Sequence, residues 1–200
     1  MVMDKKGLLG QLIQDLCYLP GVGPKSAQRM AFYLLQRNRD GAKRLAETLL
    51  ESLNKVTRCK SCRNLTDQMI CSICSNQGRD HSVVCIVETP ADVWAVDQAA
   101  VFSGVFFVLH GHLSPLDGIG PDELGLDLLQ QRLDNKEIKE IILATNSTVE
   151  GEATAQLISE IAKKCDVQAS RIAHGVPMGG ELEYIDSSTL THAFKGRKPI

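Results

Sequence analysis

Four cysteines in two pairs place the strongest constraint on how this chain can fold. Cys59 and Cys62 are separated by two residues, as are Cys71 and Cys74, and eight residues lie between the pairs. Two intervening residues let both thiolates of a pair reach one metal ion, and two such pairs can close a tetrahedral site. Because four thiolates leave no position for water or substrate, we expect one structural Zn²⁺ per chain.

Two other interpretations of these cysteines stay open. An iron–sulfur cluster also requires thiolates, but compact spacing and polar neighbours such as Lys60 and Asn64 favour zinc. Four buried thiols brought together by composition alone would need no metal. The other three cysteines, Cys17, Cys85 and Cys165, fall on apolar faces and are expected in the core.

Charge is distributed unevenly along the 200 residues, although the formal net charge is only -2. Residues 1–65 carry a net charge of +7 and the remainder carries -9. A basic amino-terminal third is typical of polyanion binding, and an acidic body of contacts with protein partners or cations. No apolar run approaches the roughly 20 residues of a membrane span, and no signal peptide is evident, so we expect a cytosolic protein without membrane contact.

The segment between the first two predicted helices carries binding chemistry. Gly21 and Gly23 allow a tight turn with accessible N–H groups, at the positive end of the helix dipole that follows. Lys25 and Arg29 add charge on the same face of that helix, which predicts contact with phosphates rather than bases. The segment resembles a helix-hairpin-helix motif, and the alternative is an ordinary corner between two helices.

From residue 81 the sequence alternates between strands and helices. Continuous β-branched runs between helices predict a parallel sheet buried on both faces, whose ligands sit at the carboxyl ends of the strands. We therefore expect an α/β fold preceded by a small helical domain and a four-cysteine zinc finger. The domains expected are residues 1–56, 57–80, 81–178 and a carboxyl-terminal tail, 179–200, whose polar sequence predicts no element. The predicted strands are 83–87, 105–109, 141–144 and 167–173, and the predicted helices are 91–100, 123–133 and 152–164.

Acidic residues follow two of these strands. Glu88 comes directly after the first strand, and Glu150 and Glu152 come after the third. The pattern resembles the Toprim domain, in which a lone glutamate and an Asp-x-Asp pair hold magnesium. When the sequence is aligned so that the later glutamates match the Toprim pattern, the two aspartates of the Asp-x-Asp pair correspond to Asn146 and Thr148. Both of these side chains are neutral. Since magnesium prefers anionic oxygen ligands, the resemblance implies a Toprim-like sheet without its catalytic metal site.

The order of these motifs resembles the RecR family of bacterial recombination mediators over nearly the whole chain. The segments 112–121 and 171–184 also look like parts of that family. The resemblance implies a non-catalytic homo-oligomer, a tetrameric ring or a dimer, associated with the nucleoid. It also implies binding of single-stranded and duplex DNA without sequence preference. A further implication is that the protein acts with RecO and RecF to load RecA onto strands coated by single-strand-binding protein. On the same resemblance, Glu88, Glu150 and Glu152 would dock RecO.

Two catalytic interpretations are weaker on the residues. A Toprim nuclease or topoisomerase would rest only on Glu88 and the later glutamate pair, and the three tyrosines offer no evident nucleophile. A nucleotide-binding enzyme would need a glycine-rich phosphate loop after the first strand of the sheet. The sequence there is Glu-Thr-Pro-Ala-Asp, which has no such loop.

Overall fold

The chain divides into two compact units, residues 1–56 and 57–200. A computed structural model describes residues 7–173, 175–177 and 179–197. Lys5 and Lys6 of the basic third, and His174 and Met178 of the carboxyl-terminal segment, lie outside these residues. Within the described ranges, no helix has both the length and the apolar character needed to cross a bilayer.

The amino-terminal unit consists of three helices: α1 (Leu8–Leu16), α2 (Pro24–Arg37) and α3 (Arg39–Lys55). Apolar residues at three- and four-residue steps from Leu8 to Leu19 predict a first helix that stops at Pro20. α1 ends earlier because the chain tightens into turns at residues 17–19, whose N–H groups bond three residues back. Ala27 and Ala31 are the buried residues of α2. The leucine stripe of α3, in contrast, lies in solvent in the single chain: Leu45, Leu49 and Leu53 are each more than half exposed.

The second unit begins with the cysteine-rich finger. Strands β1 (Thr57–Arg58) and β2 (Leu65–Thr66) pair antiparallel, and the short helix α4 (Ser72–Ser75) follows. The first cysteine pair lies in the connection between the strands, and the second pair brackets the start of α4. The hairpin and the short helix therefore present the two pairs toward each other.

A four-stranded parallel sheet forms the rest of this unit, as the alternating pattern predicted. The strands are β3 (Asp80–Val87), β4 (Gly104–Val108), β5 (Glu140–Leu143) and β6 (Gln168–Arg171), in the order β4-β3-β5-β6. The helices between them are α5 (Pro90–Gln98), α6 (Leu126–Asp134) and α7 (Val149–Lys164). The strand β3, central in the sheet, pairs with β4 on one side and with β5 on the other.

Alternate residues of β3 enter two different cores, as the two-residue period of a strand requires. Val84 and Ile86 pack with α6 and α7 on one face. Cys85 and Val87 pack with Val93 of α5 on the other face. The prediction of a Toprim-like sheet with helices on both faces is therefore confirmed.

The structure corrects the expected burial of two cysteines and assigns elements to the tail, for which the sequence made no assignment. Cys85 is buried, but Cys17 and Cys165 are only half-buried, because each lies at the carboxyl-terminal end of a helix rather than within its apolar face. The tail contains a 3-10 turn, Leu182–Tyr184, and the helix α8 (Ser187–Lys195). Asp186 caps α8 by accepting hydrogen bonds from the backbone N–H groups of Ser188 and Thr189. This short polar cap was the signal available in the sequence.

Arg63 connects the finger to the loop that precedes α6. Its side chain is 6% exposed, and its guanidinium donates to the carbonyls of Leu124 and, at 3.0 Å, Glu123. The guanidinium carbon also lies 5.8 Å from the centre of the Phe107 ring. Gly125 adopts φ +67, and a Cβ there would overlap the guanidinium. The Arg63 side chain is therefore one of the contacts between finger and sheet, together with the hydrogen bond from the N–H of Val108 to the carbonyl of Cys62 at 2.9 Å.

We predict that Arg63→Met lowers the free energy of unfolding by about 2–4 kcal/mol, because it leaves two buried carbonyls without a donor. Urea denaturation of the full chain measures this. Arg58→Met is the matched control, since Arg58 is exposed and has no ion pair within the described part of the chain. Equal stability of the two variants would show that the Arg63 contact contributes nothing.

Candidate functional site

The four predicted metal ligands lie together in the structure. The Sγ atoms of Cys59, Cys62, Cys71 and Cys74 are all within 4.8 Å of one another. A Zn–S bond of about 2.3 Å in a tetrahedron separates the sulfurs by about 3.8 Å, so one ion fits between them with small adjustments. The first three cysteines are buried and Cys74 is half-buried, which leaves little room for another ligand.

Backbone N–H groups aim at the sulfurs. The N–H of Cys71 donates to Cys59 Sγ at 3.3 Å, and the N–H of Asn64 donates to Cys62 Sγ at 3.5 Å. Arg63, between Cys62 and Asn64, adopts φ +64, which turns the chain back over the second sulfur. Such donors stabilise thiolates, so the finger is shaped to hold a cation with charged sulfur ligands.

The proton affinities of the cluster's thiols differ, and that of Cys74 favours thiolate. A hydrogen bond from Cys62 is the main reason that the pKa of Cys74 falls to about 5, and Ser61, Cys71 and the charge of Arg132 lower it further. The same hydrogen bond raises the pKa of Cys62, and burial raises the pKa of Cys71. A divalent ion would displace the thiol protons of the cluster on binding, and the four thiolates would hold it without open coordination.

The predicted hairpin has the geometry expected of a phosphate contact. Gly21 adopts φ +76, and Gly23 is the N-cap of α2, with Pro24 as its first residue. Among the described residues, no side chain caps the first N–H groups of this helix. Lys25 and Arg29 are both exposed one turn apart on α2. The structure therefore brings the four predicted residues to one helix start.

The carboxyl edge of the sheet brings Glu88 and Asn146 together. Glu88 is 3% exposed, although the sequence placed it at the ligand-facing edge. Its Oε1 accepts from the backbone N–H of Asn146 at 2.8 Å, and its Oε2 accepts from Asn146 Nδ2 at 2.7 Å. His112 Nδ1 lies 3.3 Å from Oε2. Protein groups thus engage both carboxylate oxygens.

The other residues of this edge serve the start of α7 or face solvent. Thr148 is the N-cap of α7 and accepts from the N–H of Gly151 at 3.0 Å. Glu150 is exposed in the first turn. Glu152 forms an ion pair with Arg171 of β6 at 2.6 Å. The three glutamates therefore differ in environment: Glu88 is buried, Glu152 is paired with Arg171, and Glu150 is exposed.

The sequence reasoning assigned no role to three side chains that shape these sites. Arg63 links the finger to the sheet, His112 lies against Glu88, and Arg171 pairs with Glu152. Their partners lie 19 to 61 residues away along the chain, so no local pattern could reveal them. His112 and Arg171 stood only within segments that carried the family resemblance.

Comparison with known families matches every part of this architecture in order. Residues 9–53 match the family described as RecR, helix-hairpin-helix, and residues 56–76 match the RecR zinc finger domain of the four-cysteine type. Residues 82–173 match a Toprim domain, and residues 175–198 match RecR, C-terminal. The zinc-finger match and the sulfur cluster together confirm the predicted zinc site of four cysteines.

A curated relative extends the similarity to nearly the whole chain. Recombination protein RecR from Methylococcus capsulatus is 57% identical over 196 residues. The aligned region covers 98% of this chain and 99% of the relative.

We predict that Cys62→Ser lowers both the zinc content and the melting temperature, because metal binding at a closed thiolate site contributes directly to folding. Metal analysis and thermal unfolding of the purified full chain measure the two quantities. Cys165→Ser is the control, since Cys165 is half-buried and lies outside the cluster. Unchanged zinc and an unchanged melting temperature in Cys62→Ser would contradict the assignment.

Proposed function

Because the chain belongs to the RecR family of recombination proteins, we propose that it is a non-catalytic mediator that clamps DNA and, with RecO and RecF, helps to load RecA onto single-stranded DNA. The observation that carries the proposal is the exposed basic helix start at Lys25 and Arg29 in a unit matching the RecR helix-hairpin-helix family. The loading step is indirect, since it acts on strands coated by single-strand-binding protein.

DNA binding is proposed to be independent of base sequence. Backbone N–H groups at a helix start and two flexible cations suit phosphate oxygens, which are the same at every nucleotide. Single-stranded and duplex DNA both present this backbone. The exposed leucine stripe of α3 supports a homo-oligomer, a tetrameric ring or a dimer, because a stripe of this kind is normally covered by another protein surface.

The sheet edge is proposed to be structural rather than catalytic. Asn146 uses N–H donors toward Glu88, whereas a hard metal ion would need anionic oxygen ligands there. Thr148 is occupied with capping α7. Hydrogen bonds from Asn146 therefore occupy both oxygens of the carboxylate that would bind magnesium, and neither Asn146 nor Thr148 supplies the anionic ligand of the missing aspartates.

The basic partner RecO is proposed to dock at the acidic residues of this edge. Glu150 and Glu152 are both exposed in the first turn of α7, and Glu152 is paired with Arg171. Glu88 is buried below this surface and holds the turn at Asn146 in place by accepting two hydrogen bonds from that residue. Charge complementarity at such an edge affects partner choice and association rate more than it affects folding.

We predict that the double variant Lys25→Ala, Arg29→Ala binds oligonucleotides weakly and with a flatter salt dependence. Each lost phosphate contact reduces the slope of log K against log salt by about 0.9 for duplex and about 0.7 for single strands. Fluorescence anisotropy over a salt series measures both quantities. In an oligomer the loss is multiplied by the number of subunits.

The matched control for DNA binding is Lys163→Ala, Lys164→Ala, which removes the same charge from exposed positions at the end of α7. Zinc content and oligomer mass in native mass spectrometry should match the wild type in both double variants. Full DNA affinity of the Lys25, Arg29 variant at moderate salt would show that the hairpin is only a corner between helices.

We predict no nuclease, topoisomerase or primase turnover with magnesium or manganese, because Asn146 and Thr148 supply no anionic ligand. Two substrates measure the three activities on gels: supercoiled plasmid, and an unprimed single-stranded template with nucleoside triphosphates, each incubated with the purified chain. The proposal fails if DNA is cut or relaxed and Glu88→Ala abolishes that activity.

We predict that Glu150→Lys weakens binding to purified RecO while DNA affinity stays nearly unchanged. Reversing one exposed charge replaces an attraction to a basic partner by a repulsion. Surface plasmon resonance at low and moderate salt measures the change. Glu160→Lys on the same helix is the control for the change in net charge. Equal RecO affinity in the two variants would remove Glu150 from the interface.

A further inference from the structure

A closed turn projects from the sheet unit at residues 114–119. The N–H of Ser114 donates to the carbonyl of Ile119 at 3.0 Å, and the N–H of Ile119 donates back to Ser114 at 2.9 Å. Ser114 Oγ donates to Asp117 Oδ2 at 2.6 Å. Pro115 restricts one backbone angle, and Gly118 supplies the φ of +69 that closes the turn. The turn is thus held by hydrogen bonds on both sides.

The base of the turn is fixed to the sheet and to α7. The N–H of Leu113 donates to Thr154 Oγ1 at 2.9 Å, and Thr154 in turn donates to the carbonyl of Glu150 at 2.7 Å. Leu113 and Ile119 pack against the main core. The turn therefore emerges beside the start of α7, the segment that carries the acidic edge.

Leu116 occupies the tip of this turn and is 99% exposed. A single exposed leucine is common on protein surfaces and by itself indicates nothing. This one, however, is carried by a turn whose backbone is already ordered, so a partner that buries it has little conformational entropy to remove. Ordered apolar side chains of this kind serve as anchors that fill a pocket on a partner.

The charge around the turn selects the class of partner. Residues 80–131 contain no lysine or arginine, and every formally charged side chain there is acidic: Asp80, Glu88, Asp92, Asp97, Asp117, Asp122, Glu123 and Asp127. Three of these lie within seven residues of Leu116. In space, Asp122 and Asp127 share a cavity with Arg58, Lys60 and Arg63 of the finger, so the acidic character of the turn itself comes mainly from Asp117 and Glu123. These carboxylates repel DNA phosphates and complement a protein surface rich in lysine and arginine.

We propose that the turn 114–119 inserts Leu116 into an apolar pocket on a partner protein whose rim is basic. The pocket would bury the leucine, and the rim would face Asp117 and Glu123. This inference rests on the proposed function, in which a basic partner docks at the neighbouring start of α7. It adds an apolar anchor to a contact otherwise assigned to charge alone.

The test measures binding of purified RecO to the full-length chain by surface plasmon resonance. Leu116→Ser should increase the dissociation rate about ten- to a hundredfold, as the loss of one buried leucine side chain implies. The association rate and its salt dependence should stay unchanged, because an apolar contact is not screened by salt. Leu116→Met should retain most of the affinity, since it keeps an apolar side chain of similar volume.

Val101→Ser is the matched control, because Val101 is an apolar residue 81% exposed in the same unit. If RecO dissociates from Leu116→Ser at the wild-type rate, or if the two serine variants show equal increases in the dissociation rate, the anchor is overturned. The proposed function would remain intact in both cases. No binding of RecO to the wild type would overturn both. A loss of oligonucleotide affinity in Leu116→Ser with RecO binding intact would also overturn the anchor and indicate a wedge between bases.

Discussion

The buried guanidinium of Arg63 is the contact on which the arrangement of the larger unit depends. A charge removed from water must be solvated by protein groups, and here two backbone carbonyls perform that role. Arg63 directly follows the second zinc ligand, so closing the finger on its metal also orients this side chain. The carbonyls come from the loop before α6, whose Gly125 leaves room for the guanidinium. Metal binding, loop conformation and sheet packing are therefore coupled through one side chain.

The sheet edge follows a similar rule, since its buried carboxylate is also solvated by the protein. Glu88 receives two hydrogen bonds from Asn146 and lies beside His112. A Cβ at Gly151 would overlap the carbonyl of Asn146 and lie 3.1 Å from Glu88 Oε1, so the turn into α7 closes tightly over the carboxylate. Glu88, which resembles a metal ligand in the sequence, thus orders the turn that leads to Glu150.

Spacing along the sequence was sufficient to predict the features whose residues are close together in the chain. Two residues between cysteines define a metal knuckle, and alternation between apolar runs and helical stripes defined the sheet and both of its covering layers. Spacing could not show that Glu88 is buried, because its partner Asn146 is 58 residues away. The same holds for Arg63 and Leu124, which are 61 residues apart. The exposure of Leu116 depends on a turn closed by hydrogen bonds, and the sequence alone assigned it no role.

The two kinds of ligand in this chain divide the work between folding and binding. Soft thiolates hold a structural ion in the finger and leave it no open position for a reactant. At the sheet edge, Asn146 and Thr148 supply amide and hydroxyl groups where a hard ion would need carboxylates. The proposed function follows this division of ligands. N–H groups and cations at the hairpin would bind phosphates without activating them, and the exposed glutamates would be left for a protein partner.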